Sequence, residues 1–416
     1  MENKRILFVL GNYYPKPYAN SICAQNIIDL YLKDNCVVDV ICIQRPGSER
    51  INKLNGVNLH YVQPNFRLKM FLLYADTKNK FFKILYHFLG KLMSFAFRLF
   101  CFPWLPRMSF SLSNRYYKCI KDLAENNSYD GVISFVNPLD GALGMVKFKK
   151  RTKKHLKWIV YCIDTLTNSK DKTHPKKCYL YKKFLQYCDK YIVMKSNKTE
   201  YGLPYLNDYK DKISVCDLPF VLKSDSKIDE NTASLYQFDN NHEHWSYFGS
   251  IGGKHYSYVD FLDFFFALPD DKKRVLHFFT RGSDINYDFA SKESEYKKVI
   301  MHGYVNPETM STCLECSDIL VSIKYSNVIS AKYLQYMSLG KRIIHFSGCE
   351  SDPDIKYLSK YNNAIILTPY ISSFEEMVKY FLAYKENKSM SFEEVKKVFI
   401  QNTPEFSKKI IDEAIN

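Results

Sequence analysis

Residues 318–346, DILVSIKYSNVISAKYLQYMSLGKRIIHF, decide the predicted fold. They form the pattern of a buried strand, a polar loop, a helix from about Ser330 to Leu339 and a second buried strand, with Gly340 as the helix terminator. Strands that are apolar without alternation are typical of parallel sheets, because helices cover both of their faces. The stretch therefore predicts an α/β architecture.

The same pattern recurs on both sides of this stretch. Further continuous apolar runs are RILFVL, VVDVICI, GVISFV, KWIVYCI and KYIVMK before residue 223, and WSYFGSI, RVLHFFT, VIMHGY and AIILT after residue 244. The polar segment between them is poor in core residues, which is typical of a linker. We predict an N-terminal Rossmann-like domain over 1–222, a linker over 223–242, a C-terminal Rossmann-like domain over 243–385 and C-terminal helices over 386–416.

Composition excludes several classes of protein. The chain has 416 residues, 46% of them hydrophobic, with only 15 Gly and 15 Pro, so disordered and collagen-like proteins are excluded. Its 59 Lys and Arg against 44 Asp and Glu give a net charge of +15, which favours an anionic partner.

Cysteine usage and the first residues indicate the compartment. Twelve Cys without a repeating framework, in a chain large enough to bury a core, favour free thiols and a reducing compartment. The CxxC of Cys313 and Cys316 lies in a helical pattern, and a plain helix is the preferred interpretation. The apolar run before Gly11 is too short for a secretory signal, so we expect a cytoplasmic protein.

A basic insertion at 64–120 is the most unusual segment. Its ten Lys or Arg and one acid, Asp76, supply +9 of the net charge. Polar residues between Phe81 and Phe100 fall within an arc of roughly 80° at about 100° per residue, which predicts an amphipathic helix. We expect it to lie in the headgroup region of an anionic membrane, and the alternative is a core helix with one wet stripe. The expected membrane residues are Lys83, Lys91, Arg98, Trp104 and Arg107. Because cations and aromatics are on opposite faces, nucleic acid is not an expected partner.

Several common sites lack support in the sequence. Neither half opens with GxGxxG or GxxxxGK[ST], so dinucleotide and Walker-type nucleotide binding are not predicted. Asp352, Pro353 and Asp354 imitate a metal-binding DxD, but one such tripeptide is common by chance, and we expect no metal and no cofactor. His345, which follows a predicted strand, is expected to be a strand-end residue.

Strand ends in the second half carry small residues where backbone amides can approach a phosphate. WSYFGSIGGK places Gly249, Gly252, Gly253 and Lys254 after one strand, and RVLHFFTRG places Arg281 after the next. Taken alone, either turn is a weak signal.

Taken together with SAKYLQYMSLGKR, these spans resemble the C-terminal domain of GT-B glycosyltransferases, particularly the retaining class called family 4. That class carries a G-x-[IL]-G-x-K loop, a GxG-like strand end and a PSKxxEYxxxGKP helix. The first half is similar to its opening strand, loop and helix through GNYYPKPYANSICAQNIIDLYLKD, and to two later segments through YDGVISFVNPLDGALGMVKFKK and WIVYCIDTLTN. The resemblance implies GT-B architecture, with two Rossmann-like domains facing across a cleft.

The resemblance also implies a donor site for a nucleotide-diphosphate sugar between the domains. Its donor-binding residues would be Gly249, Ser250, Gly252, Gly253, Lys254, Arg281, Ser330, Ala331, Lys332 and Gln335. The family's two motif Glu correspond to Asn327 and Gln335, so both carboxylates have become amides. The Gln335 carbonyl oxygen can still accept a hydrogen bond from one ribose hydroxyl. It lacks the negative charge that strengthens such a bond. Lysines and backbone amides would neutralise the leaving diphosphate without a metal.

Acceptor residues are expected at carboxyl ends of strands in the first half, where open α/β sheets bind ligands. They are Asn12, Tyr13, Asn20, Ser21 and Asn137. Asp164 is a candidate to orient a sugar hydroxyl or to act as general base, with a turn cap as the alternative, and Asn327 is the second candidate catalytic residue.

The resemblance implies a glycosyltransferase of hexosyl type, retaining more readily than inverting. The expected acceptor is a lipid-linked glycan or polysaccharide of the cell surface, such as capsule, O-antigen or exopolysaccharide. The enzyme would lie peripherally on the inner face of the plasma membrane. The alternative is a degenerate GT-B-like protein that binds a glycan or partners another transferase without chemistry.

Overall fold

A computed structural model describes residues 4–101, 109–136, 138–163, 182–195, 204–223, 228–249, 258–280, 287–324, 330–384 and 390–416. The chain forms two compact units. Unit 1 comprises Met1–Pro219 and Gln401–Asn416, and unit 2 comprises Phe220–Ile400.

Unit 1 is built on an eight-stranded sheet within the described residues. Its strands are β1 (Arg5–Val9), β2 (Val37–Ile43), β3 (Lys53–Leu54), β4 (Val57–Val62), β5 (Gly131–Phe135), β6 (Lys157–Cys162), β7 (Lys190–Met194) and β8 (Ile213–Cys216). Their order is β3-β4-β2-β1-β5-β6-β7-β8, and every pair is parallel except β3 with β4. Strand order reverses between β1 and β5, which is where open α/β sheets bind ligands.

Helices cover this sheet because its strands are apolar on both faces. They are α1 (Ala19–Lys33), α2 (Phe66–Asp76), α3 (Lys80–Cys101), α4 (Phe110–Asn126), α5 (Leu139–Arg151) and helical turns at 182–187 (α6), followed by a 3-10 helix at Pro204–Lys212. Helix α4 packs on α5, and its buried Tyr116 donates to the Leu10 carbonyl at 2.7 Å.

Unit 2 contains a six-stranded, wholly parallel sheet. Its elements in chain order are α7 (Glu230–Leu235), β9 (Glu243–Phe248), α8 (Val259–Ala267), β10 (Arg274–Phe279), β11 (Lys297–Met301), α9 (Pro307–Cys316), β12 (Ile319–Lys324), α10 (Lys332–Ser338), β13 (Arg342–Ser347), α11 (Ile355–Leu358), β14 (Ala364–Leu367), α12 (Phe374–Ala383) and α13 (Phe392–Val398). The strand order β11-β10-β9-β12-β13-β14 places the reversal between β9 and β12. The two parallel α/β units confirm the predicted fold class.

The chain returns to unit 1 through its last helix, α14 (Pro404–Ile415), which packs on α1. Gly131 in β5 makes room for it, because a Cβ there would lie 2.5 Å from Cδ1 of Ile415. Inside the same core, the hydroxyl of Ser407 lies 2.9 Å from the hydroxyl of Tyr161.

Domain boundaries differ from the prediction in two places. The predicted linker, 223–242, belongs to unit 2, where Phe238 stacks on the buried His277 ring with centroids 4.4 Å apart. The predicted C-terminal helices, 386–416, are divided, since α13 packs on α10 in unit 2 and α14 belongs to unit 1. Periodicity identifies the apolar face of a helix but does not indicate which core that face enters.

The described cysteines are free thiols, as expected. Cys313 of the CxxC is buried in α9, and burial raises the pKa of its thiol to about 12. In the part of the chain that the structure describes, no group of three or more His, Cys, Asp or Glu side chains is arranged to hold a metal ion.

Candidate functional site

The candidate donor site lies at the carboxyl edge of the unit 2 sheet, beside the β9/β12 reversal. Strand β9 ends at Phe248, and the Gly249 amide then donates to the Phe279 carbonyl of β10 at 3.0 Å. On the other side of the reversal, β12 ends at Lys324 and α10 begins at Lys332. The local sequence thus brings a glycine turn and two lysines to the edge where ligands bind in such sheets.

Gly249 is required by a close approach of Lys332. A Cβ at position 249 would lie 1.9 Å from the Lys332 Nζ, and the φ of Gly249 is +154°. The Lys332 Nζ also lies 5.2 Å from the centre of the Tyr247 ring. A glycine at the strand end therefore leaves the space in which the ammonium group sits.

Lys332 is a cation without a carboxylate partner among the described residues. Burial lowers the pKa of its ammonium group to about 8. Removing a charge from water without a counter-ion is costly. A site that holds an unpaired ammonium group is therefore suited to binding an anion. The arrangement favours an anionic ligand at Gly249 and Lys332.

The second lysine is neutralised by two buried carboxylates. Lys324 Nζ lies 2.8 Å from Asp352 Oδ1 and 2.6 Å from Asp354 Oδ2, and both carboxylate side chains are 0% exposed. His345 Nε2 and the Ser347 hydroxyl lie 2.8 and 2.9 Å from Asp352 Oδ2. Although burial opposes ionisation, bonds from His345 and Lys324 hold the pKa of Asp352 below its usual range. We call Lys324, His345, Asp352 and Asp354 the Lys324 cluster.

The Lys324 cluster also holds the segment that leads into α10. Asp354 Oδ1 accepts a hydrogen bond from the Ser330 amide at 3.1 Å, and the Lys332 amide lies 3.4 Å from the Ser330 hydroxyl. Helix α10 ends at Ser338, and Gly340 follows its C-cap as the predicted terminator, with a φ of +69° and no space for a Cβ beside the Met390 carbonyl oxygen. The cluster therefore positions the helix that carries Lys332.

Sequence reasoning missed this cluster. In sequence, Asp352 and Asp354 match only a metal motif and His345 is expected at a strand end, whereas the structure shows His345 fully buried within β13. The signal in the sequence is the Lys at the end of the apolar run ILVSIK, because a lysine in a buried strand needs a partner.

Only some of the other predicted donor residues lie within the described part of the chain. Ala331 is the residue before α10, with helical dihedral angles, and Gln335 is half-buried one turn beyond Lys332. The structure thus places Gly249, Ser330, Ala331, Lys332 and Gln335 in one region. The remaining predicted donor and catalytic residues lie outside the described residues: Ser250, Gly252, Gly253, Lys254, Arg281, Asp164 and Asn327.

The predicted acceptor residues that the structure describes lie beside the β1/β5 reversal of unit 1. Asn20 and Ser21 are buried in the first turn of α1, and the Asn12 carbonyl accepts from the Tyr18 amide at 3.1 Å. Tyr13 is also buried, and its hydroxyl donates to the Gln25 side chain. Burial raises the pKa of Tyr13. Asn137 lies outside the described residues.

Asp140 is a further residue at this edge that the sequence analysis did not single out. It lies in the first turn of α5 and accepts from the Ser109 amide at 2.7 Å and the Ser113 hydroxyl at 3.0 Å. Burial raises the pKa of this carboxyl group to about 6, partly offset by those hydrogen bonds. Its contacts hold the start of α4, and an Asp in the first turn after Pro138 was the available signal.

The amphipathic helix α3 exposes its apolar face. Phe81, Ile84 and Phe88 are 70%, 72% and 61% exposed. Gly90 is buried against α2, where a Cβ would lie 3.1 Å from the Phe71 ring, and His87 and Ser94 are half-buried. The alternative of a core helix with one wet stripe is therefore wrong for the described residues.

Among the membrane residues predicted from sequence, Lys83 and Lys91 are exposed on α3. Arg98 lies within α3 at a position whose side chain is outside the described residues, as are Trp104 and Arg107. No helix within the described ranges combines the length and apolar character needed to cross a bilayer.

The fold matches solved glycosyltransferase structures over nearly the whole chain. A glycosyltransferase from Rickettsia africae ESF-5 has a TM-score of 0.63 and 11% identity, covering 100% of this chain and 98% of its own. HepE from Anabaena, in complex with UDP and glucose, has a TM-score of 0.58 and 11% identity, covering 99% of both chains. Sucrose-phosphate synthase from Thermosynechococcus elongatus has a TM-score of 0.58 and 9% identity, covering 99% and 98%.

No family model and no curated protein matches the chain by sequence. At identities this low, the structural matches establish the fold alone. They confirm the resemblance to the GT-B fold that the motifs indicated.

Proposed function

From this GT-B fold, we propose that the protein is a glycosyltransferase that takes its sugar from a nucleotide-diphosphate sugar. The observation that carries the proposal is the ammonium group of the half-buried Lys332 beside Gly249, which lacks a carboxylate partner among the described residues. A cation at the switch point of an open α/β sheet is suited to a diphosphate. The UDP and glucose bound by Anabaena HepE, a protein of the same fold, agree with this donor class.

In the proposed mechanism, Lys332 binds the donor diphosphate and stabilises the charge that builds on it as the sugar leaves. This charge is larger in the transition state than in the bound substrate, so the interaction accelerates the reaction as well as binding the donor. Gln335 accepts a ribose hydroxyl through its side-chain carbonyl, and Ser330 and Ala331 place their backbone beside the diphosphate. The other predicted donor residues, Ser250, Gly252, Gly253, Lys254 and Arg281, complete the site.

The reaction we propose is hexosyl transfer with retention of anomeric configuration. Asp164 orients the acceptor hydroxyl or removes its proton, and Asn327 contacts the transferred sugar. No metal or cofactor takes part, because lysines and amides provide the positive charge. Catalysis then depends on orientation and charge stabilisation and does not require a covalent intermediate.

The proposed acceptor is a lipid-linked glycan or polysaccharide of the cell surface, contacted by Asn12, Tyr13, Asn20, Ser21 and Asn137. The exposed apolar face of α3 supports a peripheral position on the cytoplasmic side of the plasma membrane. An apolar helix face edged by lysines is typical of helices that lie in a membrane interface.

A thermal-shift screen against UDP, GDP, CDP, ADP, dTDP and their sugars tests the donor site. Binding to the native state raises the melting temperature, so one nucleotide should stabilise the wild type selectively. Lys332→Gln should remove most of this shift. Lys360→Gln, a neutralised exposed lysine elsewhere in unit 2, should retain it. A folded wild type that responds to no nucleotide would contradict the proposal.

The loss of both motif carboxylates, at Asn327 and Gln335, favours a second candidate function. In that case the protein is a degenerate GT-B relative that binds a glycan or a partner transferase. The same screen separates the two, since the degenerate protein would show no nucleotide-dependent shift in the wild type or in Lys332→Gln.

A further inference from the structure

A groove between α2 and α3 combines a basic lining with the exposed apolar face. Its volume is about 590 Å³, and Tyr74, Lys80, Lys83, His87, Phe88 and Lys91 line it. Helix α2 contributes Tyr74, whose ring centre lies 4.8 Å from that of His87 on α3. We call this the α2/α3 groove.

Three ammonium groups make the groove strongly positive. Lys80, Lys83 and Lys91 are exposed, and within the described ranges none has a carboxylate within ion-pair distance. The one acid of the insertion, Asp76, is bound by Arg45 at 2.8 Å and by Lys16 at 2.9 Å. It therefore does not neutralise the groove, which carries about three positive charges at neutral pH.

His87 adds an unused hydrogen-bonding group. Its Nδ1 atom is buried and has no hydrogen-bond partner among the described residues. A buried polar atom without a partner is uncommon in native proteins and is often explained by a missing ligand or water. A phosphate oxygen in the groove would accept a hydrogen bond from this nitrogen.

The groove opens directly beside the exposed apolar face of α3. At about 100° per residue, Lys80, His87 and Lys91 form one edge of α3, next to the face of Ile84 and Phe88. A ligand held by this edge would have its apolar part against Ile84 and Phe88. The groove therefore matches a molecule with a highly charged head and a hydrocarbon tail.

We propose that the α2/α3 groove binds the phosphomonoester or diphosphate head of a membrane lipid. Three lysines and an imidazole match a head with two or more negative charges and several acceptor oxygens better than a phosphodiester with one charge. This inference rests on the proposed membrane association, to which it adds a choice of lipid.

Vesicle co-sedimentation of the full-length protein tests the choice of lipid. Phosphatidylcholine vesicles would carry phosphatidic acid, a phosphomonoester, or enough phosphatidylglycerol, a phosphodiester, to give the same zeta potential. We expect the wild type to bind the phosphatidic acid vesicles at least about tenfold more tightly. Inorganic diphosphate at constant ionic strength should reduce that binding to the phosphatidylglycerol level, since it competes for the groove.

Two triple variants carry equal losses of charge. Lys80→Gln, Lys83→Gln and Lys91→Gln together should abolish the preference for phosphatidic acid. The control, Lys53→Gln, Lys118→Gln and Lys153→Gln, changes exposed lysines outside the groove and should keep it. Melting temperatures close to that of the wild type would show that both variants fold.

The possible outcomes separate this inference from the membrane proposal. Binding without a preference at matched zeta potential, equal effects of the two triple variants, or no competition by diphosphate would overturn the groove assignment alone. A wild type that sediments with none of the vesicles would overturn the membrane proposal and the groove together. Neither result bears on the nucleotide screen.

Discussion

Gly249 and Lys332 form the most specific contact in the candidate donor site. In Gly249→Ala, the added methyl group meets the flexible end of Lys332, so the ammonium group must move by more than an ångström. We expect nucleotide affinity to fall by tenfold or more, because charge-assisted contacts depend on distance. Isothermal titration with the nucleotide found in the screen measures this change.

The control for backbone strain is Gly303→Ala. Gly303 also has a positive φ, +72°, but nothing lies within 4 Å of its added Cβ. Both variants should lose about 1–2 kcal/mol of stability through strain. If Gly303→Ala weakens nucleotide binding as much as Gly249→Ala, the role assigned to Lys332 is wrong.

Lys324→Met tests the buried cluster. The change leaves Asp352 and Asp354 without their cation in a site closed to water, and breaking a buried pair in this way costs about 3–5 kcal/mol. Urea unfolding should show this loss. Lys121→Met, which removes an exposed pair with Glu125, should cost less than about 1 kcal/mol. Similar losses in the two variants would contradict the proposed burial of the Lys324 cluster.

The sequence indicated which residues lie near one another where the signal was local. Gly249 and Lys332 belong to short motifs whose meaning depends on adjacent residues, and the structure brings them together. The Lys324 cluster joins residues from β12, β13 and the following loop, and its pairing depends on strand order. A single sequence does not show which of the apolar strands are neighbours, so Lys324 and Asp354 could not be paired.

At the scale of elements, three histidine rings in unit 2 are hydrogen-bonded in a row. His244 Nδ1 lies 2.9 Å from His277 Nε2, and His277 Nδ1 lies 2.8 Å from His302 Nε2. They come from β9, β10 and the residue that follows β11. Burial lowers the pKa of His277 to about 2 and that of His302 to about 4, so these rings are neutral at pH 7.

Unit 2 should therefore lose stability in mild acid. The unfolded chain takes up protons below a pKa of about 6.5, whereas folded His302 stays neutral down to about 4. The stability is fully present above pH 6.5 and falls as pH decreases to 4, by roughly 1–2 kcal/mol for His302 because solvent screens its partly exposed ring. Urea unfolding at pH 7.5, 6 and 5 measures it.

His302→Gln separates this effect from general acid unfolding. Its amide can replace the ring as a hydrogen-bond partner of His277 without titrating in this range. The variant should show a smaller decrease in stability between pH 6.5 and 5 than the wild type. An identical pH dependence would show that His302 does not contribute.

Helix α3 shows what periodicity can and cannot predict. The spacing of polar residues indicated an amphipathic helix, and α3 covers that segment. The pattern did not indicate which face of α3 packs against α2. That face is set by the small size of Gly90, which fits against Phe71, and not by polarity. Close packing of α2 on a glycine therefore directs the apolar face outward.

At the scale of the whole molecule, this face should control membrane association. Ile84→Ser with Phe88→Ser removes exposed apolar surface, so vesicle binding should fall by about tenfold or more with little change in melting temperature. Leu235→Ser with Ile371→Ser is the matched control, since these side chains are 74% and 72% exposed elsewhere. Equal reductions in binding would argue against a membrane-facing α3.

Much of the whole fold was accessible from sequence. Continuous apolar runs predicted both parallel sheets, because a strand covered on two faces needs no polar side. The assignment of α13 to unit 2 and α14 to unit 1 was not predictable from sequence. It depends on the space beside Gly131 that only the assembled sheet creates.

The return of α14 to unit 1 has a consequence for synthesis. A ribosome makes β1 to β8 first and must then translate all of unit 2 before it supplies Gln401–Asn416. Until then, the surface around Gly131 and Tyr161 that α14 covers is open, and the nascent unit 1 is a candidate client for chaperones. Unit 2 is one continuous segment, Phe220–Ile400, and has no such delay, so the unit translated second can be the first to mature.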